Sequence, residues 1–565
     1  MRLFTAEEAR LVDHKTEEEY ELPLGYLMEN AGRAVADLVR HKEDIRLQRG
    51  ITFFCGVGNN GGDALVAARH LLEASIPVQV IVFGNKSNMT PLFKQQYKIL
   101  QHLRNQLLPV DEETSTSTGK EKGLSVDPIT NTIQMPEEES VPLSFFWIDG
   151  QDYAPHTEDI IDKILGYTLV DGLIGTGLHG SVHGLMGQAI QALNDWRNSK
   201  EIHRIVAIDV PSGLYTNTGR VSDLAVQADY TVTFGNEKVG MHLYSGKTYC
   251  GQVCCYPLGI PGEKLLDKEA NQTDLVTASM VASYLPKRLP TAHKGTNGHV
   301  GLIAGSKGML GAARMALQAA LRIGAGKVTS LVSADCIENL QMSALPEAMA
   351  HVFSLAPLSD LDKKARADYL NSFSALAIGP GLGRDRAVID GVLAILSEIR
   401  VPLVLDADGL YALGQLNKGQ LLSEFCSAPL ILTPHPGEFS RLSGLTIAEI
   451  ESDRLGFARR FAKEHACLLV LKGAPTVIAE PNGQVYINST GNAGMGTGGM
   501  GDTLTGILVA LLAQGVAPVK AALAGVYLHG YSADRLAQDR PIGYLPSDVA
   551  QEVPKAWKDL LDKNV

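Results

Sequence analysis

The chain has no long uninterrupted apolar run. Its longest apolar region, 507–528, is broken by Gln514, Gly515, Pro518 and Lys520, which favours two buried helices over a membrane span. No apolar signal core follows Met1, so export is not expected. Positive charge is not in excess either. The 50 Lys and Arg against 62 Asp and Glu leave a net −12, without the basic footprint that nucleic acid requires. Seven cysteines in 565 residues form neither a disulfide framework nor a CxxC metal pair, and Cys254 and Cys255 are merely adjacent. Reduced thiols and a cytoplasmic protein are expected. What remains is ordinary globular composition, 45% hydrophobic and 20% charged, on a chain long enough for two to four domains.

The densest signal is Asn492-Ala-Gly-Met-Gly-Thr-Gly-Gly-Met-Gly-Asp-Thr-Leu-Thr-Gly506, which runs directly into the apolar segment 507–513. Closely spaced glycines let the backbone take positive φ and turn its N–H groups to one side. A helix starting there adds unpaired N–H groups and a positive dipole end, so the loop should hold an anion. Asp502 is the odd member. Beside an anion hole a carboxylate repels phosphate unless it takes a proton from a nucleophilic hydroxyl. The plainer reading is a turn with Asp502 as a cap.

The first half opens with Leu27, Ala31, Val35 and Leu38 at helical spacing through 26–40, a helix that should cover a sheet. A strand is expected at 51–55, then Gly56-Val-Gly-Asn-Asn-Gly-Gly-Asp63 and a helix over 64–74. Gly56, Gly58 and Gly61 match GxGxxG. The second strand, 78–83, ends in Gly84-Asn-Lys-Ser, however, without the acid that holds a ribose in a dehydrogenase. Residues 105–145 are polar and aperiodic, read as an inserted, partly disordered surface loop. Strands at 167–174 and 204–210 then lead into Gly175-Thr-Gly-Leu-His-Gly180 and Pro211-Ser-Gly213. In an open parallel sheet ligands bind after such strand ends, so Asn60, Asp171, Asp209 and Ser212 can meet in one crevice. An amide, a carboxylate and a hydroxyl suit a hard cation. One carboxylate with neutral oxygens, Asn60, Asp171 and Ser212, suits potassium better than a divalent ion. Turn capping by Asp209 and Ser212 is the alternative.

Pro257, Pro261, Pro286 and Pro290 flank the charged run 263–269, so a boundary is expected there: one domain over 1–262, a linker at 263–274, and a second domain over 275–565. The second half starts again as strand and helix at 299–304 and 312–323. Further strands at 327–332, 375–378, 402–405, 430–432 and 467–471 are expected. Most end in turns rich in glycine or polar groups, among them Gly379-Pro-Gly-Leu-Gly383, Thr433-Pro-His-Pro-Gly-Glu438 and Lys472-Gly-Ala-Pro-Thr476. One edge of a parallel sheet would thus carry phosphate- and nucleotide-type groups. The fold class is α/β, with two three-layer parallel-sheet domains.

Residues 56–63, 175–180 and 209–213 resemble the N-terminal domain of bifunctional NAD(P)H-hydrate repair enzymes. Residues 379–383, 433–438, 472–473 and 492–506 are similar to the C-terminal dehydratase domain of the same family. The likeness spans nearly the whole chain; Ala64 stands where glycine is expected, and the 105–145 insertion is longer than the family needs. The resemblance implies a Rossmann-like epimerase fused to a ribokinase-like dehydratase, acting on NADH and NADPH hydrated at C6 of the nicotinamide ring. In the epimerase it implies hydrate binding by Asn59, Asn60, Gly61, Gly62, Asp63, Gly175, Thr176, Gly177, Leu178, His179, Gly180, Ser181 and Asp209, with potassium on Asn60, Asp171 and Ser212. In the dehydratase it implies hydrate binding by Gly326, Gly381, His435 and Asp502, and ADP binding by Lys472, Gly473, Ala474, Pro475, Thr476 and Gly501. ADP rather than ATP, with Mg2+, is the co-substrate it implies, and a homo-oligomer is expected.

That chemistry explains an anion hole in a lyase. Hydroxide leaves poorly, and phosphorylating it makes a good leaving group. Asp502 would deprotonate the hydroxyl while the N–H groups of 498–501 hold the transferring phosphoryl. Two alternatives share parts of the pattern. A ribokinase-like vitamin kinase would use the same loop and base but release a phosphorylated product. A protein whose first half only docks nucleotides would have no use for Asn60, Asp171 and Ser212 together.

Overall fold

The computed structural model describes residues 1–42, 44–47, 49–107, 125–126, 133–134, 142–149, 157–162, 164–243, 245–266, 272–343, 345–356, 359–416 and 420–562. The inserted loop expected at 105–145 lies mostly outside them; within it Ser125–Val126 pairs antiparallel with Ile133–Gln134. The chain divides into two compact units, Arg2–Ala270 and Asn271–Val565.

The first unit is a seven-stranded sheet, parallel throughout. From Ile51–Cys55 the chain steps outward through Val78–Phe83 to Leu143–Ile148. It then returns to the other side of the first strand with Thr168–Gly172, Arg204–Ile208, Tyr230–Phe234 and Gln252–Tyr256. The reversal leaves a crevice between the carboxyl ends of Ile51–Cys55 and Thr168–Gly172, the place where open α/β sheets bind ligands. Strand residues of both parities are buried because helices cover both faces. Phe53, Val80 and Val170 meet helices Leu24–His41 and Asn59–Glu73, while Phe54, Leu169 and Ile205 meet helix Gly184–Ser199. The three-layer expectation holds.

The second unit repeats that logic with one difference. Within the unit the strands run in the order Thr273–Val276, Val485–Asn488, Val477–Ala479, Leu468–Leu471, Leu430–Leu432, Leu403–Leu405, Ala375–Ile378, His299–Ile303, Lys327–Val332 and Met349–Val352. Val477–Ala479 pairs antiparallel with both of its neighbours, so this sheet is parallel-rich rather than wholly parallel. Its order reverses between His299–Ile303 and Ala375–Ile378, and the two following turns bond there: Gly305 N donates to Pro380 O and Gly379 N to Ile303 O. The apolar stretch expected as two helices forms Met500–Ala513 and Pro518–Ala537. Both pack in the core on one face of the sheet, with Leu310–Arg322. No helix among the described residues is long and apolar enough to cross a membrane.

Candidate active sites

In the first unit a cavity of about 500 Å³ opens at the crevice. Helix Asn59–Glu73 begins inside the glycine turn, earlier than the expected 64, so Asn59 and Asn60 form its first turn. Gly58, Asn59, Asn60 and Asp63 line one wall; Gly175, Thr176 and Gly177 line another, with Asp209 at the end of a third strand. Gly61 and Gly62 do not line it. A Cβ on Gly61 would stand 1.9 Å from Gly56 O, and one on Gly62 would press on Met28; both let the helix approach the turn. Leu178 packs against the apolar core below. His179, Gly180 and Ser181 are exposed beyond the cavity, with Gly180 O accepting from Tyr215 OH at 2.9 Å.

Asp171 and Ser212 are buried and bonded: Ser212 Oγ donates to Asp171 Oδ1 at 2.6 Å, and Ser212 N to Oδ2 at 2.9 Å. Burial raises the Asp171 carboxyl to about 6 against these bonds. Asn60 stands next to them across Gly175, where a Cβ would come 3.0 Å from Asn60 Oδ1. Its buried Nδ2 has no hydrogen bond among the described residues. Asp63 is perturbed in the same direction as Asp171: burial, then the charges of Asp209 and Asp13, push its carboxyl well above the usual range. Three charged lining residues were missed from sequence, Arg10, Asp13 and Lys238. Asp13, raised to about 6 mainly by burial, comes from helix Ala6–Tyr20. Lys238 lies four residues beyond strand Tyr230–Phe234, where no strand was expected from the sequence.

In the second unit the glycine loop is tied down from outside. Asn492 Oδ1 accepts from Gly494 N at 3.0 Å and from Tyr544 OH at 2.5 Å, and its Nδ2 donates to Asp534 Oδ1 at 2.9 Å. Gly499 caps helix Met500–Ala513 at φ 97°, a left-handed conformation that glycine takes without strain. The amides of the first turn have no intrahelical acceptor, and Asp502 projects from that turn, half-buried. Burial, then Asp406, raises its carboxyl to about 6, opposed by Lys472.

Lys472 does not stand free. Its Nζ lies 2.7 Å from Asp406 Oδ1 and 3.8 Å from Glu438 Oε2, and Thr505 Oγ1 donates to Asp406 Oδ2 at 2.7 Å. Gly501 closes over this pair, since a Cβ there would sit 3.2 Å from Lys472 Nζ. Gly473 accommodates Arg454, and Thr476 Oγ1 donates back to Gly473 O at 3.2 Å. Ala474 and Pro475 complete that turn through a cis peptide bond. His435 caps helix Pro436–Ser443, its Nδ1 accepting from Gly437 N at 3.0 Å, with its side chain half-exposed at the same edge. Gly381, at φ 62°, packs on Met309 and holds Ser306 through its carbonyl at 2.9 Å. Gly326 is a correction. It precedes strand Lys327–Val332, packed on Lys294 O, at the sheet end opposite to the turns after Ile378, Leu432 and Leu471, so it cannot join Asp502 in one pocket.

Two parallel-rich α/β units, one with a carboxylate-lined crevice and one with a glycine-capped helix start beside a perturbed aspartate, define a two-domain enzyme of nucleotide chemistry. Residues 25–240 match the family model described as YjeF-related protein N-terminus, and residues 300–555 that of NAD(P)H-hydrate dehydratase. The bifunctional NAD(P)H-hydrate repair enzyme Nnr of Moorella thermoacetica is 38% identical over 548 residues, 96% of this chain and 93% of that one. Those of Thermofilum pendens and Escherichia coli are 32% and 34% identical, over 99% and 86% of this chain and 97% and 80% of theirs. Among solved structures, the ADP/ATP-dependent NAD(P)H-hydrate dehydratase of Bacillus subtilis is 35% identical, covering 51% of this chain and 98% of its own at a TM-score of 0.45. The chain belongs to the bifunctional NAD(P)H-hydrate repair enzymes, which join an epimerase to a dehydratase.

Proposed function

We propose that residues 1–262 interconvert the R and S hydrates of NADH and NADPH. Residues 275–565 dehydrate the S hydrate with ADP and Mg2+, giving AMP and phosphate. The observation that carries this is the pairing of Asp502 with unpaired amides at the start of helix Met500–Ala513. Asp502 takes the proton of the C6 hydroxyl as its oxygen attacks the β-phosphorus of ADP. The amides at 498–501 stabilise charge on the phosphoryl in flight, and AMP leaves. Loss of phosphate and of a C5 proton then restores the dihydronicotinamide. His435 and Gly381 border the space beside Asp502. The turn 472–476 supports the nucleotide, with Lys472 balancing Asp406 and Glu438. Reduced thiols fit a cytoplasmic site of action, and every described cysteine is free.

The full chain given hydrated NADH and ADP should regenerate the NADH absorbance and release inorganic phosphate in step. A phosphorylated organic product without NADH would overturn this reading in favour of a vitamin kinase.

The donors in the first unit fit a potassium ion: one buried carboxylate, Asp171, the Ser212 hydroxyl, and the amide oxygen of Asn60, a residue whose Nδ2 has no hydrogen bond among the described residues. Potassium there would offset the repulsion of the Asp209 carboxylate against the substrate pyrophosphate. Replacing potassium with lithium should slow epimerisation, and Asp171→Ala should reproduce the loss; a rate indifferent to the monovalent ion would remove the cation from this account.

A further inference from the structure

Lys238 is a buried cation for which neither hydrate binding nor potassium has a use. Its side chain is 3% exposed at the wall of the cavity. Its Nζ donates to Asp209 Oδ1 at 2.5 Å, to Thr233 Oγ1 at 2.8 Å and to Phe234 O at 3.1 Å. An ammonium has three donors, and all three are engaged. A lysine that binds phosphate keeps its head group open to the ligand, so Lys238 is not a pyrophosphate contact. Its bonds fix Asp209 instead. Asp209 stands at φ 63°, a conformation rare outside glycine that clusters at functional positions. Its amide is tied to Val232 O at 2.7 Å. Thr233 Oγ1 also lies 3.1 Å from Oδ1. Among the described residues Oδ2 of Asp209 has no hydrogen bond, so one carboxylate oxygen is clamped and the other is open to the cavity. Asp63 lines the same cavity and has no hydrogen-bond partner among the described residues.

We propose that Asp63 and Asp209 are the acid and base of hydrate epimerisation, with Lys238 as the residue that positions Asp209. This rests on the epimerase reading of the domain. The C6 hydroxyl of the hydrate is bonded to a carbon that also carries the ring nitrogen. Asp63 gives its proton to that hydroxyl, the C6–O bond breaks, and water leaves as the nitrogen lone pair forms the N=C6 bond. Water then adds to the opposite face of C6 and yields its proton to Asp209 Oδ2. The result is the other epimer, with no change in oxidation state; proton exchange with solvent resets the two carboxyls. Burial, which favours the protonated form of Asp63, fits the acid role. The other ionisable groups at the cavity are Asp13 and Arg10 from helix Ala6–Tyr20, and Cys255 lies near Lys238 on strand Gln252–Tyr256.

The test uses the full chain without ADP, following R-to-S conversion by separating the two hydrates. Lys238→Met should lower kcat on the order of a hundredfold with KM little changed, and Asp63→Asn should do the same. Lys238→Arg should retain at least about a tenth of the rate, because a guanidinium preserves the charge. The Lys238 charge also favours ionisation of Asp63, so its removal should carry the alkaline limb of the kcat profile to higher pH. A structural role would not move that limb. Near-normal kcat in Lys238→Met, or a loss with the alkaline limb unmoved, overturns the proposal. ADP-dependent dehydration of the S hydrate by the same samples should be unchanged. If the unsubstituted chain fails to interconvert the hydrates, the epimerase reading fails instead.

Discussion

Asp502→Asn should abolish dehydration while nucleotide binding survives. The amide keeps the shape of the side chain at the start of helix Met500–Ala513 but accepts no proton, so the loss falls on kcat by a hundredfold or more. The unsubstituted enzyme should show the same dependence through pH. Burial and the neighbouring Asp406 raise the Asp502 carboxyl to about 6, and only the ionised form can act as base. Its kcat should therefore fall as pH drops below about 6 and level off above it. Near-normal turnover by the Asn variant, or a flat profile across that range, would remove Asp502 from the base role.

The second large effect is on stability. Asp406 is buried, and Lys472 and Thr505 meet its two oxygens. Asp406→Ala strands the Lys472 ammonium without its bonded partner, leaving Glu438 at 3.8 Å and, more weakly, Asp502 as countercharges. Breaking a buried pair from one side costs about 3–5 kcal/mol, read as a lower denaturant midpoint for the C-terminal domain. The cost should depend on pH in a defined direction. Burial alone would raise the Asp406 carboxyl, but the Lys472 charge and the bonds from Lys472, Thr505 and Thr433 more than offset it, so it is held below the usual range. A group depressed in the fold stabilises above its unfolded pKa and loses that contribution as pH falls through the folded value. The difference between Asp406→Ala and the unsubstituted chain should accordingly be full at neutral pH and shrink in strong acid. A difference that is small at neutral pH would mean that Lys472 finds another partner.

Much of this was readable because buried parallel strands are short apolar runs punctuated by glycine and polar turns. Strands Val78–Phe83, Ala375–Ile378 and Leu430–Leu432 fall where that punctuation puts them. What failed had physical causes. Gln252–Tyr256 is an edge strand with an exposed, mixed pattern, and Thr273–Val276 lies at the end of a stretch read as linker. The hairpin Val477–Ala479 and Val485–Asn488 is too short for periodicity to register. At the crevice, Asn60, Gly175 and Asp209, on turns after expected strands, line the cavity, whereas Lys238 follows Tyr230–Phe234, where no strand was expected. Gly326 went the other way: a glycine beside a strand says nothing about which end of the sheet it occupies. The pairing of Lys472 with Asp406, across 66 positions of sequence, is a product of topology and has no local trace.

The antiparallel strand Val477–Ala479 has a mechanical consequence. The chain leaves the reactive edge after Leu471, runs to the far edge, turns at Glu480–Gln484 and comes back through Val485–Asn488 towards the glycine loop. The Lys472 turn and the Asn492 loop, which flank the path of the phosphoryl group, are therefore the two tips of a single ribbon. Lengthening the far turn leaves both tips in place. A one-residue slip between the two strands would flip Val485–Asn488 onto the other face and shift one tip against the other by a residue's rise, about 3.3 Å, more than the length of a phosphorus–oxygen bond. On the proposed mechanism, registry in this ribbon, rather than any side chain on it, sets the relative position of the two turns that handle the phosphoryl group.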